Sequence, residues 1–146
     1  MNRNMKWIKE DGGRKDAFPN QKLKTHVGDC VVRALSIAME QKYKTTMNDL
    51  FALGLELGCM PNTDQCWREY LSRKGWIENK FGKQLVRINS IKIPRDQFVL
   101  CQTAGHLVAI NDAELYDTFD ARKNSRRDWK RVFRYYVGNK SFNGLY

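Results

Sequence analysis

No run of about 18 consecutive apolar residues, the length a bilayer-spanning helix needs, occurs in this 146-residue chain. The first residues, Met1-Asn2-Arg3-Asn4-Met5-Lys6-Trp7, lack the apolar stretch of a secretory signal. The expectation is a protein of the reducing cytoplasm with no membrane partner. Cysteine is sparse: Cys30, Cys59, Cys66 and Cys101 are too few and too scattered for a disulfide framework. The compartment argument also disfavours a Cys59–Cys66 bridge. Cys59, Cys66 and Cys101 read as small buried hydrophobes, the common fate of a free thiol. No CxxC or HxxxH pair occurs, which argues against zinc, and no metal or organic cofactor is implied. Internal repeats and low-complexity stretches are also missing.

Acidic residues are scarce at one end. The net charge is +10, and residues 31–120 are balanced at 11 basic and 11 acidic side chains, whereas residues 121–146 hold 8 basic and 1 acidic. The excess lies in Arg122, Lys123, Arg126, Arg127, Lys130, Arg131 and Arg134. Such a patch attracts an acidic partner, either nucleic acid or an acidic protein, or else serves as a solvated face. Arg122, Lys123, Arg126 and Arg127 are the candidate binding residues. Trp129, Tyr135 and Tyr136 interleave with this cluster, as in a stacking platform for single-stranded nucleic acid or as core aromatics.

A hydrophobic fraction of 42% at this length suits one domain over residues 1–146. Residues 1–20 read as irregular, with turns at Asp11-Gly12-Gly13 and Pro19-Asn20 and a short strand near Trp7-Ile8. Residues 30–41 predict a central helix: Arg33, Ser36 and Glu40 form a narrow polar stripe on an otherwise apolar cylinder, and Asp29 is a good N-cap. A second helix is expected over 46–56, capped by Thr45 or Thr46 and ended at Gly58, with Met47, Leu50, Phe51, Leu53 and Leu55 as its apolar set. A third is expected over 64–73, capped by Asn62 or Thr63, with Trp67, Tyr70 and Leu71 as its buried stripe. Strands follow, over 84–88, 98–101, 106–111, 114–119 and 132–137. Ser125-Arg126-Arg127-Asp128 matches a capping box, so one helical turn is expected there. Helices first and antiparallel strands second define an α+β fold.

Two elements begin at residues that carry chemistry. Cys30 opens the first main helix, where the helix dipole and unpaired N–H groups favour a thiolate. His106 opens a strand, with carboxylates on the next strand to orient an imidazole. These are the parts of an activated nucleophile. His26, four residues before Cys30, is a rival base in a loop. The third member is Asp117 or Asp120. If Asp112-Ala113 is a two-residue turn, Asn111 faces Glu114, His106 faces Phe119, and Asp117 lies diagonal to His106 on the same sheet face. If the turn is Asn111-Asp112, Asp117 lies directly opposite His106; only an odd-length turn favours Asp120. Two-residue turns are common, which favours Asp117.

Gly28-Asp29-Cys30-Val31-Val32-Arg33-Ala34 at a helix start, followed by Gly105-His106-Leu107-Val108-Ala109 and Asp117-Thr118-Phe119-Asp120, resembles the papain-like cysteine peptidase superfamily. The likeness covers roughly residues 20–137 and is greatest to the small single-domain forms of phages and bacteria. The resemblance implies N-terminal helices packed on an antiparallel sheet, with Cys30 as nucleophile and His106 as base. It further implies hydrolysis of a peptide, isopeptide or other amide bond in a protein or peptide substrate, or acyl transfer to an amine. One departure is visible. The superfamily usually places a glutamine shortly before the cysteine as an oxyanion donor; Lys24 stands six residues before Cys30, and the nearest glutamine, Gln21, stands nine before. The Cys30 backbone N–H and Gln21 are the candidate donors. The alternative is a catalytically inactive papain-like basic protein that engages nucleic acid or an acidic host protein.

Overall fold

The structure, a computed structural model, describes residues 5–21 and 27–138. Among these residues six strands form one sheet in the order β1-β5-β4-β3-β6-β2. They are β1 (Lys6–Lys9), β2 (Ile77–Lys80), β3 (Phe98–Thr103), β4 (His106–Asn111), β5 (Glu114–Asp117) and β6 (Arg134–Val137). The helices are α1 (Arg14–Ala17), α2 (Cys30–Met39), α3 (Tyr43–Leu57) and α4 (Asp64–Arg73). The class is α+β, as expected. The sheet is not purely antiparallel: β1 pairs parallel to β5, Lys6 opposite Glu114 and Lys9 opposite Asp117. A strand from the N-terminal segment therefore completes a sheet otherwise made by the C-terminal half, and Arg14–Ala17 adds a helical turn to a region read as irregular.

Alternation along the central strands divides the interior in two. Leu100, Leu107, Ala109 and Tyr136 face the helices and pack with Val31, Leu35, Leu50, Trp67 and Leu71. Val99, Cys101, Val108, Ile110 and Leu115 face the other way, under a cover formed by Met5, Ile88, Ile91, Ile93, Ala121 and Val132 from the irregular segments. The sheet is thus covered on both faces, by helices on one and by loops on the other.

The helix α2 is as buried as its composition requires, with Leu35 fully enclosed. Its polar stripe does not face water: Arg33 and Ser36 are buried, and Ser36 Oγ bonds Thr46 Oγ1 at 2.8 Å. Asp29 occupies the N-cap position but makes no cap bond, because Arg33 draws its carboxylate into an ion pair. The helix α3 starts earlier than expected, with Lys42 rather than a threonine at its N-cap. Thr46 is buried inside its first turns, where it bonds Ser36 instead of capping. Leu50 and Leu53 of α3 are buried, whereas Phe51 and Leu55 are 52% and 87% exposed. They lie about 100° to 160° around the helix from Leu50 and Leu53. The expected α4 and its buried Trp67, Tyr70 and Leu71 are found as read.

Two C-terminal expectations are overturned. Residues 84–88 form no strand; Arg87 makes one isolated bridge to Arg131. Residues 125–128 form a turn instead of a helical turn, because the Asn124 side chain accepts from the N–H groups of Arg126 and Asp128. Asn124 outcompetes the capping box by supplying a local acceptor one residue earlier. Lys123 then bridges Trp129 across the turn.

Candidate active site

Gly28, at φ 69°, turns the chain so that Cys30 becomes the first residue of α2. The first helical bond runs from Arg33 N–H to Asp29 O at 3.0 Å, so the N–H groups of Cys30, Val31 and Val32 have no carbonyl within the helix. Thr103 lies opposite His106 in the β3–β4 ladder, which makes Ala104-Gly105 a two-residue turn. Gly105, at φ 64°, supplies its left-handed position, and His106 follows as the first residue of β4. The helix α2 packs along β4, which carries Cys30 to the imidazole.

Cys30 is half-buried and unbridged, and its thiol is close enough to the His106 side chain and the Leu107 backbone for both to lower its pKa. His106 Nε2 lies 2.6 Å from Asp117 Oδ2, which leaves Nδ1 for the thiol. The turn between β4 and β5 has Asn111 opposite Glu114, and Asp112 takes φ 55°. In this register Asp117 lies diagonal to His106. Asp120 instead bonds Arg122 through both carboxylate oxygens, each at 2.8 Å. Phe119 stands against the imidazole, its ring centroid 5.2 Å away.

A buried chain of charges supports these three residues. Asp117 Oδ1 accepts from Arg33 at 3.2 Å and from Thr118 N–H at 2.7 Å. Arg33 also pairs with Asp29, which accepts from Tyr43 Oη at 2.8 Å and from Arg14 at 3.2 Å. Arg14 in turn bonds Gln21 Oε1. Sequence reasoning read Arg33 as part of a polar stripe and missed this role. A signal was present: Asp29 and Arg33 stand at i and i+4 beside an apolar run, the spacing of a helical ion pair.

The electrostatics follow from these contacts. Burial pushes the Cys30 thiol up, but the hydrogen bond and charge of His106, the Leu107 N–H and Arg33 outweigh it and leave its pKa below the ordinary value. Burial pushes His106 down, yet its bonds to Asp117 and Cys30 raise it to about 9. Burial raises Asp117, and His106, Thr118 N–H and Arg33 together bring it below the usual carboxylate range. All three shifts favour a thiolate–imidazolium pair held by a carboxylate at neutral pH. This is an arrangement for nucleophilic attack on a carbonyl.

The remaining candidates are distributed as follows. Gln21 is anchored through its carbonyl oxygen by Arg14, so its amide nitrogen is the donor left to it. Lys24 and His26 lie outside the described residues. Cys66 and Cys101 are buried and Cys59 is half-buried, each without a disulfide; burial, then the adjacent Cys59, pushes the Cys66 thiol up to about 11. Arg122 is held by Asp120 and donates to Met5 O at 2.8 Å, so it is spent on structure, whereas Lys123, Arg126 and Arg127 are exposed. Tyr136 packs edge-on against Trp67 at 5.4 Å inside the core. A cavity of about 700 Å³, lined by Ile37, Tyr43, Phe98 and Tyr116 among others, sits toward the far end of α2 and includes none of Cys30, His106 and Asp117. Among the described residues no three His, Cys, Asp or Glu side chains converge as a metal-ligand set, and no helix is long and apolar enough to cross a membrane. Compared with protein-family models, curated proteins and solved structures, the chain matches none of them.

Proposed function

We propose that this chain is a papain-like, cysteine-dependent hydrolase acting on an amide bond of a protein or peptide in the cytoplasm. The observation that carries the reading is the line Cys30–His106–Asp117, with Nε2 of His106 held by Asp117 at 2.6 Å and the thiol pKa depressed by the same imidazole. The Cys30 thiolate adds to the scissile carbonyl carbon, and the carbonyl π electrons move to oxygen. The N–H groups of the first turn of α2, which have no carbonyl partner within the helix, are the candidates to receive that charge, and the Gln21 amide is the candidate second donor. Collapse of the adduct breaks the C–N bond while His106 Nδ1 delivers its proton to the leaving amine. Water, deprotonated by the same nitrogen, then cleaves the thioester and releases the thiolate. An amine in place of water gives acyl transfer. Asp117 holds the ring tautomer throughout.

Selective alkylation tests this reading. Iodoacetamide at pH 6.5 should modify Cys30 well before Cys59, Cys66 or Cys101, and Asp117→Asn should slow that reaction. Equal rates at all four thiols would sink the hydrolase. A second reading, a non-catalytic basic binding protein of the same shape, is favoured by the cations of residues 121–134 that form no ion pair among the described residues. It predicts an inert Cys30 together with tight, salt-sensitive binding of an acidic partner.

A further inference from the structure

The basic segment does not present its charge as a flat face. Thr103, at the end of β3, and Ala104, in the turn that leads into His106, line a groove of about 470 Å³ together with Arg87, Lys123, Lys130, Arg131 and Phe133. Among the described residues four cations and no carboxylate line this groove. Arg131 lies over the Phe133 ring at 4.9 Å and Lys123 over the Trp129 ring at 4.7 Å, so two of the cations are braced on aromatics. Arg87 is fixed by its bond to Trp129 O at 2.9 Å. Among the described residues none of the four forms an ion pair. Lys123 feels Asp120 at longer range, but that carboxylate is already doubly bonded by Arg122. Two lining residues also carry buried polar atoms with no partner, Thr103 Oγ1 and Arg131 Nε.

The position of the groove ties it to the reaction. Thr103 is the direct ladder partner of His106, and directly opposed residues project from the same face of a sheet with Cβ atoms about 4.5–5.5 Å apart. Thr103, which lines the groove, therefore stands next to His106 in the sheet. His106 must protonate the leaving amine, so the leaving half of the substrate lies on the imidazole side of the Cys30 sulfur.

We propose that this groove is a specificity subsite for an acidic peptide segment, rich in Asp or Glu, on the leaving-group side of the scissile bond. The inference rests on the hydrolase reading. It favours a peptide over nucleic acid because the groove adjoins an acyl-transfer centre, and a nucleic acid backbone offers that centre no acyl carbon to attack. Of the residues that the charge pattern singles out, Lys123, Lys130 and Arg131 do this work, joined by Arg87 from a distant part of the chain, while Arg122 does not.

Iodoacetyl-tetraglutamate, iodoacetyl-tetraglycine and iodoacetamide, each reacted with the full chain, test the subsite. The glutamyl reagent should alkylate Cys30 about tenfold faster than the glycyl reagent at low salt, with the advantage shrinking as salt rises. In the Lys123→Gln/Lys130→Gln variant the ratio of the two rates should fall toward one. Equal rates in the wild type, or a ratio untouched by the variant, would overturn the subsite while rapid reaction with iodoacetamide left the hydrolase standing. Should Cys30 prove inert, the anisotropy of fluorescein-labelled hexaglutamate still reads the groove: binding lost in the variant supports it, and no binding overturns it. Preferential binding of a dT12 oligonucleotide over hexaglutamate would also overturn it and assign the groove to nucleic acid.

Discussion

Arg33 is the side chain on which the site's electrostatics turn. It is 5% exposed and joins Asp29, the neighbour of Cys30, to Asp117, which bonds His106. Replacing Arg33 by Met would leave two buried carboxylates short of their cation, and breaking a buried pair from one side costs about 3–5 kcal/mol. Denaturant titration should show a loss of that size, and the pH profile of Cys30 alkylation should move to higher pH. Asp117→Asn should lower turnover by about 10²–10⁴-fold through loss of the correct tautomer. Asp120→Asn, at a carboxylate paired with Arg122, should stay close to the wild-type rate.

The pair of His106 and Asp117 also predicts how stability follows pH. The Asp117 pKa is lowered on folding, so its contribution is full above the unfolded value of about 3.9 and is lost as pH falls through the folded value. The His106 pKa is raised to about 9, so its contribution is full below about 6.5 and is lost as pH rises through the folded value. The depressed Cys30 thiol acts in the opposite sense, adding stability as pH rises toward its unfolded value. Cys30→Ala removes that opposing titration together with the part of the His106 shift that Cys30 supplies, and leaves the part that Asp117 supplies. In this background unfolding free energy should decline from about pH 6.5 upward, and a flat profile from urea melts would contradict the pairing.

At the scale of elements, the site depends on how closely the loop before α1 lies on α2. Gly12 takes φ 69°, and a Cβ there would stand 2.9 Å from Arg33 O. The positive φ and the backbone contact both require glycine. Gly12→Ala should cost about 1–3 kcal/mol and displace Arg14 from Asp29, seen as a lower melting temperature with slower Cys30 alkylation. The contact between α2 and β4 is the other support. Leu35 is fully buried against the sheet, and Leu35→Ala should destabilise by about 2–5 kcal/mol.

For the whole molecule, the mixed sheet ties the N-terminal segment to the site. The strand β1 lies along β5, Glu10 N–H bonds Asp117 O at 3.0 Å, and Trp7 Nε1 donates to the same carbonyl at 3.0 Å. Asp117 is therefore gripped through its backbone by β1 as well as through its carboxylate. Ile8→Pro removes a donor from the middle of the parallel ladder. It should loosen β5 enough to raise the alkylation pKa of Cys30 even where the chain stays folded, which circular dichroism and a pH series of alkylation rates would read together.

Local pattern was enough to read much of this protein. Apolar periodicity located α2 and α4, and alternation with turn chemistry located the β3–β4–β5 meander. Counting across the two-residue turn at Asp112-Ala113 placed Asp117 on the face of His106, because side chains alternate along a strand with period two. Apart from the meeting of Cys30 with His106, what depended on distant partners escaped that reading. The parallel pairing of β1 with β5 joins residues more than 100 apart, and no local period encodes it. The helical turn at residues 125–128 lost to an Asn124 side chain whose geometry only the folded loop reveals. Arg33 became a buried link because Asp117 arrives from 84 residues away. Arg87 joins the basic groove through Trp129 and Arg131, across more than 40 residues. Periodicity is a property of neighbours in the chain, whereas ion pairing and groove formation are properties of neighbours in space, and those were decided by the tertiary structure.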